Sequence, residues 1–314
     1  MDDRRSVNPE MVMSEGVDVG DFTLDLPSAF IEHNQEAAVW LRALPALLAR
    51  LAAQWSLTLA PPFPSIAINY VAPATRPDGA PCVLKVSRHI EDTRYEIAAL
   101  RLWDVEGAVR LLAADAERGA LVIERFMPGT ELTDIADVDD DTATGIAARV
   151  LTKLWRPAPT VHELCPLDRW CAAYDRNRDA LSGGVEGFPS GLFLHADALR
   201  HELLASTVTP TVLHGDLHHH NILATGRAEW LAIDPKGLVG DPCFDVCQFF
   251  RNSHSMPPTV NRRRLDRFCA DLGLDRERVK GWCLVHSVLD ACWDFEDGNS
   301  WARAIAYAEE TQTF

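Results

Sequence analysis

Twelve residues, Val212–Leu223 (VLHGDLHHHNIL), hold four histidines, one aspartate and one asparagine. Zinc chemistry needs ligands that converge on one point, such as His at i and i+4 of a helix or Cys pairs across a turn. Adjacent His218, His219 and His220 diverge whether the chain is extended or turned, and no Cys or acidic residue stands at supporting spacing. A different spacing carries chemistry. Four residues separate Asp216 from Asn221, and Asp234 ends the apolar run that starts at Trp230. In phosphoryl transfer, one carboxylate accepts the proton of an attacking hydroxyl. An Asn and a second carboxylate hold Mg2+ over the phosphates. Mg2+ prefers oxygen ligands, which Asn and Asp supply and His does not.

A site of this kind also needs a strand lysine to pair with phosphate and a helix carboxylate to anchor that lysine. "VLKV" supplies Lys85 on a strand, and Glu96 follows in "RYEIAAL" on the next helix. "LVIERF" then fits the hinge whose backbone would bind adenine. Lys85 alone reads more readily as a solvated strand lysine. All the elements falling in kinase order favours the active-site reading.

The elements that must position these residues are legible from periodicity. Residues 1–28 read as a poorly ordered lead-in. "HNQEAAVWLRALPALLARLAAQW" reads as an amphipathic helix with Asn34 as its N-cap and a kink at Pro45. "SIAINYVAPA" and "APCVLKVS" form a hairpin around Pro77-Asp78-Gly79. A helix over "EDTRYEIAALRLWD" leads to a second hairpin, "AVRLLAAD" and "ALVIERF". Beyond "MPGTEL" the chain turns mainly helical. The expected fold is α+β and bilobal. A small antiparallel-sheet N-lobe over 29–127 would bind nucleotide, and a larger, mainly helical C-lobe over 128–314 would hold the catalytic residues and the acceptor.

Composition narrows the partners. With 30 Lys+Arg against 46 Asp+Glu the net charge is −16, which argues against nucleic acid and favours cationic small ligands. No apolar run approaches the roughly 20 residues of a spanning helix, so no membrane partner is expected. The N-terminal stretch lacks the apolar core of a secretory signal. Eight cysteines without a CxxC pair read as free thiols of a reducing compartment, so the expected location is cytoplasmic.

The segments "RPDGAPCVLKV", "GAVRLLAADAERGALVIERFMPG", "LHGDLHHHNIL", "WLAIDPKGLVGDPCFDV" and "WDFEDG" resemble the aminoglycoside phosphotransferases, which share the protein-kinase fold. Within them the chain is most similar to the streptomycin 6-kinase and hydroxyurea phosphotransferase branch. The resemblance implies ATP- and Mg2+-dependent transfer of the γ-phosphate to a hydroxyl of a small, cationic acceptor, with streptomycin the first expectation. Hydroxyurea and amino sugars are rival acceptors, and a nucleotide-binding pseudokinase scaffold is the alternative from another class. By the same resemblance Asp216 is the base, Asn221 and Asp234 are the Mg2+ ligands, and Lys85 with Glu96 is the phosphate-binding pair. Glu124 and Phe126 would present backbone groups to adenine. His218 and Lys236 are either phosphate contacts or structural groups, and His214 is a prop of the loop. One departure is plain: residues 21–78 contain no glycine, so the loop before Tyr70 is not a Gly-rich phosphate cover, and Ser65 or Asn69 would have to donate instead.

Only a few residues lie between Asp234 and Gly240-Asp241-Pro242, which leaves no room for the activation loop that docks a peptide. A small molecule is therefore the expected acceptor. Asp241 and Asp245 either brace the catalytic region or touch ligand. In the acidic run that closes a late helix, Trp293, Asp294, Glu296 and Asp297 either meet the amines or guanidinium groups of the acceptor or form a solvated helix end.

Overall fold

The computed structural model describes residues 17–18, 23–24, 26–34, 37–64, 66, 68–226, 229–251, 258–311 and 313. The lead-in expected over 1–28 lies largely outside these residues, and Ser65 lies outside them as well. The chain forms two compact units, Met1–Arg88 and His89–Phe314.

In the first unit, α1 (Ala38–Trp55) buries Leu44, Leu48 and Leu51, which recur at helical spacing, and Pro45 lies inside it. The helix starts at Ala38 rather than after Asn34. Asn34 is instead a tertiary tie: its Nδ2 donates to Phe30 O at 2.9 Å, and its Oδ1 accepts from Arg88 Nε at 3.0 Å. Three antiparallel strands follow, β1 (Thr58–Leu59), β2 (Tyr70–Thr75) and β3 (Pro81–Val86). The β2–β3 hairpin turns at the expected Pro77-Asp78-Gly79 and sets Val71 opposite Lys85. β2 begins at Tyr70 and takes up residues 70–74 of the expected strand over 65–74, of which Ser65 and Ala67 lie outside the described residues.

The second unit opens with α2 (Ile90–Trp103) and the hairpin β4 (Leu111–Asp115) and β5 (Ala120–Glu124). These group with the helical part of the chain for a physical reason. Trp103 Nε1 donates to Leu154 O at 2.8 Å, and Val109 N–H to Ala232 O at 2.9 Å. The compact division therefore falls ahead of residue 127, where the lobe boundary was expected from sequence. Next come α3 (Asp140–Leu154), β6 (Cys165–Pro166), α4 (Ala173–Ser182), α5 (Ser190–Ala205) and β7 (Thr211–Leu213). They are followed by β8 (Ile222–Ala224), β9 (Trp230–Ala232), β10 (Leu238–Gly240), α6 (Pro242–Asp245) and α7 (Cys247–Arg251). The unit closes with α8 (Pro258–Leu272), α9 (Arg276–Glu296) and α10 (Ala302–Thr311).

The core of this unit runs along α9, whose Val279, Trp282, Cys283, Val285, Val288, Leu289 and Cys292 are buried. α9 packs on α5, α10 and α4, which explains why its apolar residues surround it rather than form one stripe. All eight cysteines are unpaired, and all but Cys269 are buried. Among the described residues, no helix is long and apolar enough to cross a membrane.

Candidate active site

Two strand pairings bring the site together. β10 runs antiparallel to β7, with Leu238 opposite Leu213, and Lys236 N–H donates to His214 O at 2.8 Å. β8 and β9 pair with Ile222 opposite Ala232, and Ile233 N–H donates to Asn221 O at 2.9 Å. The loop His214–Asn221 and the segment Asp234–Gly237 are thus stitched side by side. Close approach is possible because two positions lack a side chain. A Cβ on Gly237 would lie 2.2 Å from Tyr95 O, and one on Gly215 would lie 2.7 Å from Leu238. Asp234 itself adopts φ +58°, in the left-handed region. Held there, a non-glycine residue costs about 1 kcal/mol, which the pairing on either side must offset.

Asp216 sits partly buried at the end of β7. Its Oδ2 lies 3.1 Å from Lys236 Nζ, and its Oδ1 accepts from Gln248 Nε2 at 3.0 Å. Lys236 Nζ also lies 3.7 Å from Asp234 Oδ2. Burial works against the Lys236 charge, yet the carboxylates of Asp234, Asp216 and Glu96 outweigh it and hold the ammonium pKa above its ordinary 10.5. Asn221 turns its Nδ2 to Asp216 O at 3.0 Å and toward His218 Nε2 at 3.2 Å. That leaves its side-chain carbonyl for another partner. An amide oxygen from Asn221 and a carboxylate from Asp234 form an oxygen donor set that suits Mg2+.

The four histidines have separate tasks. His214 is fully buried and lies parallel to Trp103. Its Nε2 donates to Ile233 O at 2.9 Å, and its Nδ1 accepts Asp216 N–H at 3.3 Å, as expected of a loop prop. Burial lowers its pKa to about 4, so the ring is neutral. His218 accepts His220 N–H at its Nδ1 and brings its Nε2 to 3.8 Å from Asp216 Oδ1; burial lowers its pKa too. His219 turns into the core and stacks on Phe249 at 3.9 Å, with its pKa lowered to about 3 by burial. His220 is exposed and pairs with Glu131 at 2.6 Å.

Asp241 and Asp245 are braces. Asp241 caps α6 by accepting Cys243 N–H at 3.0 Å, and its other oxygen accepts from Trp282 Nε1 at 2.7 Å and Arg278 Nε at 2.5 Å. The buried Asp245 carboxylate accepts the backbone N–H groups of His214 and Gly215 and the indole N–H of Trp155. Burial pushes the Asp245 carboxyl above its ordinary 3.8, and these three donors limit the rise.

The remaining residues singled out in the sequence lie on several elements. Lys85 is buried on β3 of the first unit, and Glu96 is buried on α2 of the second. Glu124 closes β5, with its N–H donated to Arg110 O at 3.0 Å, and Phe126 follows, partly buried against the core. In the acidic run, Trp293 meets Trp170 edge-on at 5.5 Å. Asp294 is partly buried, and burial raises its carboxyl pKa. Asp297 is exposed at the end of α9. Glu296 is engaged in the fold: Arg176 grips both its oxygens at 2.8 and 2.9 Å, and Asn177 donates to one of them at 2.7 Å. That clasp ties α4 to α9 and engages the Glu296 carboxylate in the fold.

Sequence reasoning missed Gln248, Arg251 and their anchor Asp290. The one local signal for Gln248 is its i+3 spacing from Asp245 across the start of α7.

An aspartate at a strand end, a neighbouring asparagine and a second aspartate past a hairpin, carried on this order of elements, belong to the phosphotransferases of protein-kinase-like α+β fold. The comparisons with known proteins agree. The model of the aminoglycoside/hydroxyurea antibiotic resistance kinase family matches residues 61–298, and the chain belongs to that family. It is 35% identical over 284 residues to the streptomycin 6-kinase of Streptomyces glaucescens, covering 85% of this chain and 88% of that one. It is 32% identical over 291 residues to the hydroxyurea phosphotransferase of Kitasatospora aureofaciens, covering 86% and 79%. Among solved structures it resembles a thermostable mutant of aminoglycoside phosphotransferase APH(4)-Ia in ternary complex with ADP and hygromycin B. There the TM-score is 0.59 at 13% identity, over 84% of this chain and 96% of that one.

Proposed function

We propose that this kinase moves the γ-phosphate of ATP to a hydroxyl of a small cationic acceptor, with streptomycin the first expectation, in the cytoplasm. The observation that carries this reading is the Asp216 carboxylate, held by Lys236 on one oxygen and Gln248 on the other, beside Asn221 and Asp234. Asp216 takes the acceptor's proton as its oxygen attacks the γ-phosphorus in line, and the bond to the leaving ADP oxygen breaks. Mg2+, when bound, would neutralise charge on the phosphates, and the Asn221 carbonyl and the Asp234 carboxylate would hold it.

Lys85 with Glu96 is assigned to phosphate, and Lys236 and His218 to the transferred group. Glu124 and Phe126 are assigned to adenine. The Glu124 N–H is taken by Arg110, so its contribution is its carbonyl. Functionally, residues 29–127 serve the nucleotide and 128–314 the acceptor and the chemistry. The acidic balance of the chain supports a cationic acceptor. Hydroxyurea is the second reading, supported by the similarity to the Kitasatospora enzyme.

The test is Mg2+-dependent ADP release from ATP, screened against streptomycin, other aminoglycosides, hydroxyurea and amino sugars. Turnover with streptomycin alone supports the proposal. Turnover with hydroxyurea or an amino sugar keeps the kinase and replaces the acceptor. ATP binding without turnover on any acceptor transfers the weight to a nucleotide-binding scaffold.

A further inference from the structure

Asp216 is the end of a chain of side-chain contacts that begins on α9. Asp290 forms an ion pair with Arg251, the last residue of α7, and His286, one turn earlier on α9, accepts from Arg251 Nη1 at 3.1 Å. His286 is fully buried, and burial and the adjacent Arg251 charge drive its pKa well below 6.5, so it is neutral and able to accept. Arg251 Nη1 also reaches Gln248 Oε1 at 3.4 Å, and Gln248 Nε2 donates to Asp216 Oδ1 at 3.0 Å.

The chemistry of this chain fixes its polarity. A guanidinium only donates, so it selects the oxygen of the Gln248 amide. The amide nitrogen must then face Asp216, where a carboxylate only accepts. Had the amide been reversed, two acceptors would face each other at Asp216 and two donors at Arg251. Asp290 and His286 in turn keep Arg251 from swinging out to Asp216 and forming a direct ion pair. Arg251 therefore delivers orientation to Asp216 without delivering a second positive charge, and Lys236 supplies the charge from the opposite oxygen.

We infer that Gln248 is a positioning residue of the phosphoryl transfer, holding the Asp216 carboxylate by an amide that Arg251, Asp290 and His286 orient. The inference rests on the reading of Asp216 as the base. It gives four residues outside the HGDxxxxN and IDPKG segments, Gln248, Arg251, His286 and Asp290, a role in the chemistry. A general base works only within a narrow geometry, and displacements near 1 Å can lower rates about 100-fold.

The experiment is steady-state kinetics on the whole chain with the acceptor that the wild type turns over, for Gln248→Met, Gln248→His and Arg251→Lys, with thermal midpoints for each. Gln248→Met keeps the length and loses the donor; Gln248→His keeps an N–H at a similar reach. The expected result is a kcat about tenfold lower or more for Gln248→Met, with both KM values within about twofold. Gln248→His should regain most of that loss. Arg251→Lys, which can no longer hold both His286 and Gln248, should lower kcat as Gln248→Met does, and the double variant should lose no more than the worse single one.

A raised acceptor KM at unchanged kcat would make Gln248 an acceptor contact and overturn the inference. Wild-type kinetics in Gln248→Met would also overturn it. If Gln248→Met fails to fold, Arg251→Lys decides by the same kcat-against-KM criterion: a lowered kcat at unchanged KM, beside a near-wild-type Gln248→His, supports the inference, and wild-type kinetics in Arg251→Lys overturns it. A wild type that hydrolyses or transfers no phosphate under any acceptor would remove the kinase reading itself, and the inference with it.

Discussion

The Asp245 carboxylate accepts the backbone N–H of Gly215 at 2.6 Å across 30 residues of chain. With His214 N–H and Trp155 Nε1 on the same carboxylate, a buried anion fixes the backbone immediately before Asp216. The sharp turn at Gly215, φ +81°, is thereby held from the α6 side. Replacing Asp245 by Ala orphans three buried donors. Each unsatisfied group costs about 1–3 kcal/mol, so a loss of at least about 3 kcal/mol is expected from urea unfolding of Asp245→Ala. Asp245→Asn keeps one acceptor oxygen and should lose less, with a kcat reduced through displacement of the loop.

Asp216→Asn separates chemistry from architecture. The amide keeps the size of the side chain but cannot take a proton. A fall in kcat of about 100- to 10,000-fold is expected, with ATP affinity and thermal midpoint near those of the wild type. Turnover within about threefold of wild type, in a folded variant, would remove Asp216 from the role of base.

Acid should unfold this protein earlier than carboxylate titration alone would. His214, His219 and His286 are buried and neutral, with pKa values of about 4, about 3 and well below 6.5. In the unfolded chain each titrates near 6.5. Between that value and the folded one the unfolded state binds more protons, so stability falls as pH drops through this window and is unaffected above it. The expected signature is a urea midpoint that is level from about pH 8 to pH 7 and declines from about pH 6.5 toward pH 4. His219→Phe should flatten that decline by about one proton, because His219 already lies against Phe249 without a hydrogen bond to either ring nitrogen.

Much of this site was legible because its parts are local. The interval from Asp216 to Asn221, the turn-bounded strands on either side of residues 225–229 and the Asp234 that follows are all set by short-range patterning. The pairing of Ile222 with Ala232 is what that pattern requires. The hairpin around Gly79 and the apolar stripe of α1 were readable for the same reason. Residues whose partners lie far along the chain gave no such signal. Asn34 has the composition of an N-cap, yet its side chain ties to Arg88. Glu296 looked like one more member of an acidic cluster, but Arg176, 120 residues away, takes its carboxylate. Gln248 is an unremarked polar residue of a short helix until the fold brings Asp216 to it. The early compact boundary likewise depends on Trp103 reaching Leu154, a contact that no periodicity announces.

The acidic end of α9 gives the last contrast, because Glu296 and Asp294 are two residues apart and differently employed. Glu296 is clasped by Arg176, which holds its carboxyl below the ordinary 4.5, and the pair is partly open to solvent. Exposed pairs of this kind contribute about 1 kcal/mol or less, so Glu296→Gln should shift the thermal midpoint slightly and leave the acceptor KM unchanged. Asp294 is partly buried with no ion pair among the described residues, and burial together with the nearby Asp297 raises its carboxyl pKa while Arg251 lowers it. A cationic acceptor would relieve that burial cost. Asp294→Asn should therefore raise the acceptor KM about tenfold with kcat little changed, and the difference from wild type should shrink as ionic strength rises from about 0.05 to 0.5 M. An acceptor KM that responds to Glu296→Gln and ignores Asp294→Asn would place the acceptor's charge on the other face of α9.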